Sequence, residues 1–117
     1  MITIFYTNYL NSESVEDVVV SKEECLTLFS KIMNWPDNFL GITINQEKTI
    51  QFYREIDNIL VDLINLPELI NHQMYANKKE CMDMIAEVFD TYSIKTYPQM
   101  KLVDTMKESL DDVINKG

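Results

Sequence analysis

Glycine is nearly missing from this 117-residue chain, in which Gly41 and the terminal Gly117 are the only two. Loops that cradle phosphate need glycine so that the backbone can approach the ligand, so nucleotide binding of that kind is not expected. Positive charge is sparse as well: ten Lys and Arg stand against 19 Asp and Glu, and Arg54 is the single arginine. Direct binding to DNA or RNA depends on clustered cations, and it too is not expected. One histidine, His72, and two distant cysteines, Cys25 and Cys81, leave no Cys-x-x-Cys spacing and no His beside a thiol. A zinc site or a His-activated nucleophile would need such neighbours, so neither metal, cofactor nor catalytic residue is expected. Both thiols sit in apolar helical patterns and read as buried and reduced. No run approaches the roughly 20 apolar residues that cross a bilayer. Met1-Ile2-Thr3-Ile4-Phe5-Tyr6 has no basic leader region, and cytoplasmic residence without membrane contact is the expectation.

Apolar residues make up 46% of the chain, enough for a packed core, and the length suits a single domain over residues 1–117. Ile2, Ile4 and Tyr6 alternate with Thr3, Phe5 and Thr7, which predicts a strand. The polar stretch from Asn8 to Asp17 interrupts the pattern, and Val18-Val19-Val20 is a weak candidate strand. Ser21 and Glu24 form a capping box, which predicts a helix over 22–34 with Cys25, Leu28, Phe29, Ile32 and Met33 as its apolar stripe. Pro36 stops it. Residues 38–54 read as a hairpin that turns at Asn45-Gln46-Glu47-Lys48. Ile50, Tyr53, Ile56, Leu60, Leu63 and Ile64 also fit a helix, but the β-branched and aromatic run Thr49–Tyr53 and the Asp57-Asn58 turn signal favour strands.

On that reading Ile59–Leu66 is a strand, and Pro67 either closes it or opens an edge strand over Leu69–Tyr75. Asn77 and Glu80 repeat the capping box before a second helix that carries Cys81, Met84, Ile85, Val88 and Phe89. Residues 91–98 read as a loop or a short strand. Leu102, Val103, Met106, Leu110, Val113 and Ile114 then predict a final helix with a solvated charged face. The expected fold is α+β, an antiparallel sheet of about four to five strands with helices packed on one face.

Catalytic carboxylate pairs carry little weight, because 19 acids make chance pairs such as Glu55 with Asp57 inevitable. Of the methionines, Met33, Met84 and Met106 fall on apolar stripes, which makes core filling their expected role. The formal charge of −9 instead favours a basic partner, since complementary charge steers association. Candidate contacts are Glu47, Glu55, Asp57, Asp62 and Glu68, at turns or polar positions of the sheet, with Tyr53 as an aromatic anchor; together they are expected to form one acidic surface.

The order of motifs carries a resemblance: a strand, a capped helix ending at Trp35-Pro36, Phe39-Leu40-Gly41-Ile42-Thr43-Ile44, a turn, Thr49-Ile50-Gln51-Phe52, an apolar strand to Leu66-Pro67, and a capped helix with Phe89. Over roughly residues 1–90 the chain resembles the small immunity proteins of bacterial polymorphic toxin systems, including contact-dependent growth inhibition. That resemblance implies a non-enzymatic protein that binds the toxic C-terminal domain of a delivered effector, often a nuclease, and covers its active site or substrate groove. It transfers no particular binding residue. An acidic DNA-mimicking inhibitor or a regulatory adaptor of a nucleic-acid enzyme is the alternative, and the oligomeric state stays open.

Overall fold

In a computed structural model that describes residues 1–65 and 69–116, the alternating N-terminal run forms β1 (Ile2–Asn8). Six further strands join it: β2 (Glu13–Val18), β3 (Phe39–Ile44), β4 (Lys48–Arg54), β5 (Ile59–Ile64), β6 (Ile70–Ala76) and β7 (Lys101–Asp104). They build one sheet in the order β2-β1-β3-β4-β5-β6-β7, with every neighbouring pair antiparallel. Three helices complete the described fold: α1 (Lys22–Ile32), α2 (Lys78–Thr91) and α3 (Leu110–Lys116).

The α+β class stands, but the sheet has seven strands rather than four to five. One addition is β2, which arises inside the polar stretch and ends at Val18, where the three-valine run begins. Five of its six residues are exposed, so no apolar face marked it in the sequence; its support is the backbone ladder to β1. The other is β7, which replaces the first turn of the expected final helix. Its pairing with β6 satisfies backbone groups that would otherwise face solvent, and it makes β6 an interior strand rather than the expected edge. The apolar spacing that suggested a long helix is not one face: Val103 and Leu110 are buried, whereas Leu102 and Met106 are exposed. Residues 49–54 pair with residues 59–64 as strands β4 and β5 around a turn at 55–58, so the helical option fails there. The expected role of Pro67 lies outside the described residues.

Both capping boxes form. Ser21 accepts from the Glu24 N–H at 3.1 Å while Glu24 accepts from the Ser21 N–H at 2.9 Å, and Asn77 with Glu80 does the same at 2.8 and 2.9 Å. These caps satisfy orphan donors where α1 and α2 begin. The helix stripes, Cys25, Phe29 and Ile32 from α1 and Cys81, Met84, Ile85 and Val88 from α2, join one core with Ile4, Leu40, Ile42, Phe52 and Val61 of the sheet. Phe29 meets Phe52 edge to face with ring centres 5.3 Å apart.

Alternation puts the neighbours of those strand residues on the other face, where the short α3 sits. Val103 and Leu110 are buried yet stand outside the main core, and Tyr75, next to the core-facing Met74, reaches Asp111 of α3. Helices on one face therefore describes α1 and α2 but not α3. The second face is tight at Gly41, where a Cβ would run into the Phe5 ring. Away from α3, Phe5, Phe39, Gln51, Tyr53 and Leu60 remain only half-buried on that face.

Candidate functional site

Three connections meet at one end of the sheet: the β1–β2 turn, the α1–β3 loop and the β4–β5 turn. Asn38 ties them together. Its side-chain amide donates to Asn8 Oδ1 at 3.0 Å and to the Ile32 carbonyl at 2.9 Å, and its Oδ1 accepts the Tyr9 N–H at 2.8 Å. The backbone continues the link, with the Asp37 N–H bonded to the Arg54 carbonyl at 2.8 Å and the Arg54 N–H to the Asn38 carbonyl at 2.9 Å. Asp37 adopts a left-handed φ of 73°, which a short polar side chain tolerates. Glu55 through Asn58 close the next turn by a 2.9 Å bond from the Glu55 N–H to the Asn58 carbonyl.

Across the second face, the register sets Tyr53, Leu60 and Tyr75 side by side on β4, β5 and β6. The outer two hydroxyls each donate to a carboxylate: Tyr53 to Asp37 Oδ1 at 2.6 Å and Tyr75 to Asp111 Oδ1 at 2.8 Å. Between them opens a groove of about 550 Å³ whose lining includes Asp37, Glu55, Asp57 and Asp111 but no Lys, Arg or His. The electrostatics follow. The bond to Asp37, helped by burial, pushes the Tyr53 hydroxyl up to about 12, and burial with the bond to Asp111 raises that of Tyr75. Burial, with the nearby charge of Asp111, also raises the Glu55 carboxyl. Tyrosines that stay protonated as donors hold two of the four carboxylates in place, and the site as a whole suits a cation.

Of the residues singled out in the sequence, Tyr53, Glu55 and Asp57 come together here. Glu47 does not join them: it lies on the β3–β4 turn at the far end of β4, eight residues and roughly 26 Å from Glu55 at the usual strand rise. There it borders a separate cleft of about 400 Å³ with Leu63, Ile64 and Ile94. Asp62 stands on the second face in a row with Gln51 and Gln73, one step along β5 from the groove. Glu68 falls outside the described residues. The one continuous acidic surface expected of these residues is thus divided along β4.

Asp37, Tyr75 and Asp111 were missed. Asp37 directly follows Trp35-Pro36, a signal that the chain turns there, but nothing local aims its carboxylate at Tyr53. Tyr75 and Asp111 are 36 residues apart and meet only because α3 crosses to the second face.

Elsewhere the chemistry is quiet. Burial pushes the Cys25 and Cys81 thiols up to about 12, which keeps them as thiols at neutral pH. His72 pairs in register with Leu63 and Leu102. Among the described residues no group of three His, Cys, Asp or Glu side chains is placed to hold a metal ion, and no helix is long and apolar enough to cross a membrane. No family model, no curated protein and no solved structure matches the chain.

Proposed function

We propose that this chain is a non-enzymatic inhibitor that neutralises a cognate bacterial toxin domain, an immunity protein whose expected target is a nuclease. The observation that carries the reading is the groove in which four carboxylates and two tyrosines converge with no cation among them. A nuclease collects Lys and Arg to hold phosphate, and those side chains are what such a groove can pair. Partly desolvated charge pairs across protein interfaces couple by about 1.5–7 kcal/mol. The tyrosine hydroxyls orient Asp37 and Asp111 before any partner arrives, which lowers the ordering cost of binding.

The test is copurification of the full chain with the catalytically inactive product of the adjacent toxin gene, followed by titration calorimetry. Charge reversal of Glu55 and Asp57 to Lys is expected to weaken binding by tenfold or more, about 1.4 kcal/mol at the least. Affinity retained within twofold would remove the groove from the mechanism. Binding to a nucleic-acid enzyme encoded elsewhere, with none to the neighbouring product, would favour the DNA-mimicking alternative.

A further inference from the structure

The loop end that carries the groove also exposes large apolar side chains. Tyr9 and Leu10 on the β1–β2 turn are 58% and 60% exposed, Trp35 on the α1–β3 loop 50%, and Ile56 on the β4–β5 turn 80%. The three connections are mutually hydrogen-bonded through Asn38 and Arg54, so these side chains are displayed from one braced end of the sheet. Ile56 lines the groove itself, as does Pro36, the residue after Trp35, so the apolar group reaches the acids through Ile56 and stands on connections bonded to the groove's own turn. Exposed apolar area costs about 25 cal/mol per Å², and a turn closed by backbone bonds gains nothing from Trp or Ile at such positions. Trp and Tyr are the side chains that most often dominate protein interfaces.

We propose that Tyr9, Leu10, Trp35 and Ile56 form the centre of a docking surface for a protein whose matching patch is apolar in the middle and ringed by Lys and Arg. The proposal rests on the inhibitor reading and deepens it, because acid alone would suit any cation whereas an apolar centre selects a partner. Charge decides the occupant. A second copy of this chain seated on the same patch by a twofold axis would bring two acidic grooves together, each chain at −9, and an anionic bilayer would be repelled in the same way. Only a basic rim complements Asp37, Glu55, Asp57 and Asp111.

Trp35 is the sole tryptophan, so its fluorescence reports on this patch in the intact chain. The probe is a synthetic amphipathic helical peptide with Leu along its centre line and Arg on both flanks. Addition is expected to shift Trp35 emission to the blue with saturation. Replacing the peptide's Leu by Ser is expected to weaken binding by about tenfold, and replacing its Arg by Glu to abolish it. Leu10→Ser and Ile56→Ser should each weaken binding by threefold or more with the circular dichroism unchanged, whereas Leu102→Ser, at an exposed position on β7, should leave it intact. Equal binding of the Leu and Ser peptides would overturn the apolar centre and leave the acidic inhibitor reading standing; no binding by any Arg peptide would remove both. A blue-shifted emission without peptide that disappears on dilution, together with dimers in light scattering, would assign the patch to self-association and overturn the proposal.

Discussion

Asn38 is fully buried, and its amide serves three partners on two segments, Asn8 and Tyr9 at the end of β1 and Ile32 at the end of α1. Asn38→Ala would leave the Tyr9 N–H without its partner, while Asn8 Oδ1 keeps the Leu10 N–H and the Ile32 carbonyl keeps the Trp35 N–H, so a loss of roughly 1–3 kcal/mol is expected in urea unfolding. The same variant should loosen the loop end before the rest of the fold. Asp62 predicts the opposite sign. Burial raises its carboxyl above the ordinary value of 3.8, against bonds from Gln73 and Asn71 that lower it, and its Oδ1 has no partner among the described residues. The folded chain therefore binds the Asp62 proton more tightly than the unfolded chain. Stability from this group falls as pH rises from 3.8 through the folded value, and above that window the full penalty is present. Asp62→Asn is expected to gain about 1 kcal/mol near neutral pH, a gain that shrinks as the pH falls through that window. Urea unfolding at a series of pH values measures it.

At the scale of elements, the interior of the fold was readable and its edges were not. Strands β1, β3, β4 and β5 each bury alternate residues in the main core, and α1 and α2 bury stripes at helical spacing beneath complete capping boxes. Periodic burial leaves a periodic sequence. Strand β2 has one half-buried residue, Val15, and β7 has one buried residue, Val103, so the alternation that would announce them is lost. A prediction follows for β7 and α3, which share the buried pair Val103 and Leu110 outside the main core. Val103→Asp would bury an unpaired carboxylate there and should release both elements together. Hydrogen exchange is expected to lose protection over 101–104 and 110–116 while α1 and α2 keep theirs. Uniform loss across the chain would show instead that this corner folds with the main core.

For the whole molecule, the ion pairs among the described residues, Lys22–Asp90, Lys79–Asp83, Lys95–Glu87 and Lys116–Glu108, lie outside the groove. Added salt should therefore act with two signs. Screening relieves self-repulsion in the free chain, so its melting temperature is expected to rise between low and physiological ionic strength. The same screening is expected to weaken the proposed complex with a toxin domain, chiefly through a slower association rate in stopped flow. A complex indifferent to salt would separate toxin binding from the acidic groove.

The amino-acid sequence on its own determined the α+β class, both capped helices, the central strands and the excess of negative charge, because each is a local or compositional property. It also supplied Tyr53, Glu55 and Asp57, which are neighbours along the chain. Only the tertiary structure decided that Asp37, Tyr75 and Asp111 complete their groove, that Glu47 stands apart from it, and that Trp35 and Ile56 are displayed from the same end of the sheet. Those relations depend on strand order and on the face that α3 chooses, and pairings between residues far apart in the chain leave no periodic trace within it.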